Sequence, residues 1–385
     1  MSRDRGESGT GAGRPLLAPH GVLRRLLVSA LLVIGFGLCA LVFVAAVGGS
    51  TGLGAGLLGL IFAALPLGIV VPSFLWIDRL EAEPRWLLLV ALAWGALVAT
   101  AVALVANTGT MAIIAGATGE SPTSVGAVLV APVVEETAKG LGLVLVLRLQ
   151  RWELDGVVDG LVYAGIIAAG FAFGENILYL GRAFNEAGAE GLFATFLLRG
   201  VVGPFAHPIF TCCTGFGVGV ATYRRPGVVR VLAPLLGWTL AVALHAAWNL
   251  SAVAGLDGFL AGYLSMQAPV FVAFVLLALW ARRREARTVV TELGRYARAG
   301  WFTDAEVWML GSVAARRQAL AWASAAHGRP GKVAMTGFLD AASDLAMLRH
   351  RMQLGDVDDA VLAEERRLLD RVVRCRAELA PGPTR

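Results

Sequence analysis

Glu135, Glu136 and Lys139 lie in an otherwise apolar stretch and form a Glu-Glu-x-x-Lys pattern. On a helix, Lys139 is four residues from Glu135 and three from Glu136, so either carboxylate can meet it on one face. Lys139 and Lys332 are the only lysines; every other basic residue of the 33 is arginine. A lysine set among apolar residues in such a chain is there to pair a carboxylate. One ammonium cannot neutralise two adjacent carboxylates, which leaves one of them as a candidate general base or acid. Glu175 and Asn176 come late in the next apolar run, His207 in the one after, and His245 with Asn249 in the one after that. An ionisable group at membrane depth costs at least about 2.5–3.5 kcal/mol, so such residues face the bundle interior, pair, and mark a working site. Two chemistries fit. In one, a glutamate takes a proton from water while His, Asn and a second Glu hold the water and the oxyanion. In the other, Glu175, His207 and His245 hold Zn²⁺ as a His₂Glu site and Glu135 or Glu136 is the base. No His-Glu-x-x-His is present, so the soluble-metalloprotease signature is missing. The plain alternatives are a structural ion pair at a span end and hydrogen-bonded core histidines.

The elements that must position these groups are membrane helices. Of 385 residues, 57% are hydrophobic and 16% charged, and the mean hydropathy is +0.69. Soluble domains carry about 45–50% and about 25%. The balance excludes a disordered chain and an ordinary soluble enzyme. The 47 glycines suit closely packed spans. The four cysteines, Cys39, Cys212, Cys213 and Cys375, show no paired metal spacing and no disulfide framework. The net charge of +5 reflects Arg-rich flanks facing anionic lipid, with no nucleic-acid surface implied.

Apolar runs place spans at Leu26–Val47, Leu53–Ile77 (with Pro66 and Pro72), Trp86–Val105, Ser124–Leu147, Val157–Leu180, Val201–Thr222, Val228–Val253 and Phe259–Trp280. Met111–Ala117 is too short to cross, and the stretch up to Gly200, with Arg199, reads as an interfacial turn. Basic flanks at Arg24/Arg25, Arg79/Arg85, Arg148/Arg151, Arg224/Arg225/Arg230 and Arg282–Arg284 fall on alternate loops. The expectation is an all-α polytopic membrane bundle of about eight transmembrane helices, N-in/C-in, with a small helical cytosolic C-terminal domain. Residues 1–23 read as a disordered cytosolic tail, 24–281 as the membrane domain and 282–385 as the cytosolic domain. In that last part Thr303 with Glu306 forms a capping box, and Gly328-Arg329-Pro330-Gly331 breaks a helix. His327, Lys332 and His350 read as surface residues. Arg in place of Lys, with abundant Ala and Gly, suggests a GC-rich bacterium and hence the plasma membrane.

These residues carry a resemblance. The chain resembles the PrsW family of intramembrane proteases, which is related to the CPBP/Rce1-type membrane glutamate proteases. The match rests on Glu135-Glu136-x-x-Lys139, on the Gly170–Asn176 stretch ending in Glu175-Asn176, on His207 following Arg199, and on His245-x-x-x-Asn249; the Asp78…Glu83-Pro84 turn is similar to the family's acidic loop. It covers about Phe74 to Trp280 and leaves out the tail. The resemblance implies cleavage of membrane-anchored, single-span substrates near the outer face, anti-sigma factors among them. Partners would be such a substrate, the lipid bilayer and a cytosolic protein for the C-terminal domain. Of the two chemistries, a metal-free glutamate mechanism is preferred, with no cofactor, and Zn²⁺ is the alternative. Glu136 is slightly preferred over Glu135 as the base; Lys139 tunes the pair, Glu175 holds water or acts as second acid, and His207, His245, Asn176 and Asn249 orient water or the oxyanion. A proton-coupled secondary transporter should show an internal repeat, and none is visible. A scaffold with a dead site does not account for the intact catalytic-type residues.

Overall fold

The computed structural model describes residues 19–81, 83–119, 123–149, 154, 156–222, 227–355 and 357–380, and every regular element among them is helical. The membrane part comprises α1 (Pro19–Ile77), α2 (Arg85–Ala93), α3 (Thr100–Thr118), α4 (Ala131–Leu149), α5 (Val157–Phe196), α6 (Ala206–Thr222), α7 (Gly227–Val253), α8 (Gly255–Gly262) and α9 (Ala268–Arg298). Four π-helical stretches interrupt or join them: Trp94–Ala99, Gly126–Val130, Leu197–Val202 and Tyr263–Gln267. The C-terminal part adds α10 (Asp304–Leu310), α11 (Val313–Gln353) and α12 (Asp359–Leu379).

Five helical runs are long and apolar enough to cross a membrane: 29–77, 85–118, 157–222, 227–253 and 255–298. Their surfaces are inverted relative to a soluble protein. Leu53 is 83% exposed, Ile113 74% and Val33 72%, while charged and polar groups are inside. This is a membrane-embedded helical bundle.

Several expected boundaries move. The first two runs form one helix, broken at Gly52, whose φ of 72° needs glycine. The Met111–Ala117 piece continues the third helix to Thr118. The polar residues before it do not end the helix, because Asn107 turns inward to Glu135. The turn expected up to Gly200 is helix and π-helix instead; the chain leaves helical geometry later, at Gly203, ahead of Pro204. The expected span 157–180 runs on to Phe196, with a break at Ala187–Gly188.

α5 is the axis of the bundle. It packs against α1 and α6, and α6 packs against α7. Small residues set these distances. A Cβ on Gly95 would stand 1.8 Å from the carbonyl oxygen of Ile167, so the chain through 94–99 lies directly on α5. The buried core on both sides includes Phe74, Leu87, Leu143, Leu161, Tyr163 and Ile167.

α9 runs unbroken from the membrane through Arg282–Arg284 to Arg298, so residues 281 and 282 lie within one helix. Its end packs with α10–α12 around a separate core containing Leu293, Leu310, Phe338, Leu345 and Val372. The Thr303/Glu306 capping box and the break at Gly328 are both present. Arg316 ties this domain to the loop after α1. Its Nε donates to Leu310 O (2.7 Å), Nη2 to Ser343 Oγ (2.9 Å) and Nη1 to Leu80 O, which also accepts from Ser343. Of the expected N-terminal tail, residues 1–18 lie outside the described residues, as do Arg151, Arg224 and Arg225; helix begins at Pro19.

Candidate active site

α4 supplies the charged centre. It is held by Trp94, whose Nε1 donates to Ala138 O (2.9 Å), and it turns Glu135, Glu136 and Lys139 toward α5, α6 and α7. Glu136 and Lys139 are wholly buried. Lys139 Nζ stands 2.8 Å from Glu136 Oε1, 3.7 Å from Glu135 Oε2 and 3.9 Å from the centroid of the Phe171 ring. The i,i+3 and i,i+4 pairs read from spacing are both present.

Glu136 is saturated. Oε1 meets Lys139 and His245 Nδ1 (3.0 Å), and Oε2 accepts from Thr211 Oγ1 (2.8 Å). Glu135 differs. Its Oε1 is 3.4 Å from Asn107 Nδ2, while Oε2 is buried with no hydrogen-bond partner, 3.7 Å from both Lys139 Nζ and His245 Nε2. The two adjacent carboxylates therefore have different work available. Glu136 organises its neighbours, and Glu135 presents an oxygen that is ion-paired with Lys139 but carries no hydrogen bond.

The histidine rings meet edge to face beside Glu135. Their ring centroids are 4.9 Å apart at 87°. His245 is held by Glu136 and stacks on Phe210. His207 Nε2 lies 3.1 Å from Glu175 Oε2, and its Nδ1 lies 3.0 Å from Lys139 Nζ. Glu175 in turn pairs with Arg199, whose Nε donates to Asn176 Oδ1 (2.6 Å). Ligand-type atoms of Glu135, His207 and His245 lie within 4.8 Å of one another, a spacing that can hold a metal ion. Each imidazole has its other contact on a carboxylate, Glu136 for His245 and Glu175 for His207. That carboxylate–histidine arrangement orients ligands at metal centres.

A family model described as PrsW family intramembrane metalloprotease matches residues 83–289, more than half of the chain. The chain belongs to that family. Protease PrsW of Shouchella clausii (strain KSM-K16) is 28% identical over 156 residues, which are 40% of this chain and 66% of the relative. The chain thus spans just under two thirds of that relative's length. No solved structure matches significantly. Together with its apolar helices, the bacterial relative identifies a multi-pass bacterial membrane protein.

Seven of the eight residues singled out from sequence meet here: Glu135, Glu136, Lys139, Glu175, Asn176, His207 and His245. Asn249 does not join them. Its Nδ2 donates to Ala127 O (2.7 Å), pinning α7 to the π-helical stretch ahead of α4. Sequence reasoning missed Thr211 and Asn107 as partners of the two glutamates. Thr211 was accessible, because it sits four residues after His207 and shares its helix face. The role of Arg199 was also readable: an arginine inside an apolar stretch needs a carboxylate, and Glu175 is the one at hand.

Proposed function

We propose that this chain is a metal-dependent intramembrane endopeptidase that cleaves membrane-anchored proteins, with Glu135, His207 and His245 holding the cation. The observation that carries this reading is the convergence of those three donors within 4.8 Å, each histidine backed by a carboxylate. A His₂Glu set suits Zn²⁺, which when bound polarises a carbonyl and lowers the pKa of water. Family membership supports the same class of reaction. Sequence reasoning placed Glu175 in the ligand set. The geometry favours Glu135 there, because Glu175 is engaged by Arg199 and His207.

The chain's own residues divide the remaining work. Glu136 fixes His245 through Nδ1, so that Nε2 faces Glu135. Glu175 fixes His207 in the same way and is itself held by Arg199. Lys139 offsets the charge of Glu136 and donates toward the reacting region. Asn176, through Arg199, keeps the Glu175 arm in place. For the bundle as a whole, the break at Gly52 and the broken stretch from Ala187 to Gly203 divide the five runs into seven long segments, and α4 makes an eighth. These fit eight spans with both termini cytoplasmic and α10–α12 in the cytosol.

A metal-free glutamate mechanism is the second reading, and one observation favours it. Lys139 Nζ lies 3.0 Å from His207 Nδ1, on the lone pair that a cation would use. In that case Glu135 Oε2 is the oxygen that takes a proton from water. Cleavage of a co-reconstituted single-span substrate separates the two. Under the metal reading, activity disappears with a strong chelator and returns with Zn²⁺, and H207A and H245A lose bound metal. Cleavage by metal-free protein that vanishes in E135Q overturns the metal reading and retains the glutamate one.

A further inference from the structure

The substrate of an intramembrane peptidase arrives as a helix, with each carbonyl bonded to an N–H four residues on. Such a bond cannot be attacked until the helix opens. Opening exposes N–H and C=O groups in a medium that has no water for them. The enzyme must supply partners, and the structure contains a place that does so.

A cavity of about 390 Å³ lies between α1, the chain from Gly200 to Ala206, and the π-helical stretch Tyr263–Gln267. Gln267 lines it. This side chain is 5% exposed, and its carbonyl oxygen Oε1 is buried without a hydrogen-bond partner among the described residues. Buried amides are almost always paired, so an acceptor left open on a cavity wall is fitted to a donor from a ligand. The cavity shares Pro66, Gly203, Pro204 and Ala206 with a narrower space of about 30 Å³ that reaches Asn176, Arg199 and His207. The two spaces therefore adjoin across these four residues, on the side of the catalytic cluster. Its walls are irregular in the way that ligand-lining membrane segments are. Gly203 leaves helical geometry (φ −113°, ψ 26°), Pro204 has no N–H, and π-helical turns flank the break and carry Gln267. Tyr263, one turn before Gln267, donates to Val202 O (3.3 Å) and ties the two walls together.

We propose that this cavity seats the opened stretch of a single-span substrate, and that Gln267 hydrogen-bonds its freed backbone. The inference rests on the peptidase reading. A lipid acyl chain is the competing occupant, but it has no donor for Oε1. The larger cavity of about 590 Å³ between α6, α7 and α9 is walled by apolar side chains and Cys212 and Cys213, and suits a chain of that kind better. The side-chain amide of Gln267 offers both an acceptor and donors, which matches a peptide group.

The test uses full-length protein in phosphatidylethanolamine/phosphatidylglycerol vesicles and two single-span peptides, one with a stiff Leu/Ala helix and one with a Gly-Pro pair near the cleaved bond. Q267M is expected to lower kcat/KM about tenfold on the stiff peptide and much less on the pre-opened one, with Q267N partly restoring it. A photoreactive benzophenone side chain in place of Phe271, which lines the same cavity, is expected to capture the peptide in an E136Q background, and Q267M to reduce that capture. Equal loss on both peptides, unchanged cleavage and capture in Q267M, or capture of phospholipid alone overturns the proposal. If the benzophenone variant captures the peptide but wild-type protein never cleaves it, the peptidase reading fails and the seat remains. If it cleaves while Q267M behaves as wild type, the seat fails and the reading remains.

Discussion

Two of the places where this molecule buries charge do it differently. Around Arg316, one guanidinium spends its donors on Leu310 O, Leu80 O and Ser343 Oγ, all neutral acceptors fixed by helix ends and a loop. The carboxylates of Glu285, Glu81 and Asp340 also act on it. The membrane cluster holds three carboxylates, a lysine, an arginine and two histidines within a few side chains of one another, and still leaves Glu135 Oε2 without a hydrogen bond among the described residues. A structural anchor closes its valences. A reactive site keeps one open and spends the rest of the network holding it there. The two glutamates of α4 repeat that contrast at smaller scale, Glu136 closed and Glu135 open.

The largest expected effects test this division at the glutamates. E135Q removes the open oxygen and keeps the volume, and cleavage should fall by about 10²–10⁴-fold with the protein still inserted and its melting temperature nearly unchanged. E136Q should also abolish most activity, but through its neighbours: Gln cannot balance Lys139 or accept from Thr211 and His245 together, so its melting temperature should drop as well. Thermal unfolding beside a cleavage assay separates the two. Loss of stability in E135Q with none in E136Q would reverse the assignment.

R316A is next. It leaves Leu310 O without this donor and weakens the hold on Leu80, at a cost of about 2–4 kcal/mol. The expected result is faster proteolysis around α10 and α11 with cleavage of substrate reduced only a few-fold. Activity falling as far as in E135Q would mean that the tail domain is wired to the site and that the anchor is more than an anchor.

Much of the site was legible beforehand, because a hydrocarbon layer makes every charged residue conspicuous. Spacing alone placed Glu135 and Glu136 on the Lys139 face, and depth alone grouped Glu175, His207 and His245. What could not be read was the direction in which residues face across helices. Spacing puts Thr211 and Asn249 alike on the face of a site histidine, but it does not tell that Thr211 reaches Glu136 while Asn249 turns to Ala127 O. The helix breaks were legible only where geometry demands a particular residue. Gly52 has a positive φ and a plain glycine signature in hindsight, whereas the break at Gly203-Pro204 lies within an apolar run that hydropathy treats as uniform. The anchor at Arg316 was invisible, because it joins residues 236 apart in sequence and one of its acceptors is a backbone carbonyl.

A smaller effect is expected at Thr211. T211V keeps the shape and removes one of the contacts that close Glu136. One hydrogen bond to a charged acceptor is worth about 1.5–3 kcal/mol, and the change should lower kcat about tenfold or somewhat more while leaving substrate capture intact. An effect on KM alone would place Thr211 in substrate contact and out of the Glu136 network.

Asp78 offers the least effect on cleavage and a clear one on pH dependence. It follows α1 and is 4% exposed; Oδ2 accepts from the Glu83 N–H (3.0 Å), and Oδ1 has no hydrogen-bond partner among the described residues. Burial pushes its carboxyl up to about 8, with Asp159 adding to the rise and the Glu83 N–H opposing it. A carboxyl raised in the folded state favours folding while it is protonated. Its contribution is therefore complete below the ordinary carboxylate value of about 4 and is lost as pH climbs through about 8. D78N imitates the protonated form. The difference in melting temperature between D78N and wild type, measured in detergent, should be near zero at pH 4 and turn in favour of D78N as pH rises through 8, with other carboxylates cancelling in the subtraction. A difference that stays flat would mean that Asp78 is charged throughout, and it would then join Arg316 among groups whose burial is fully compensated.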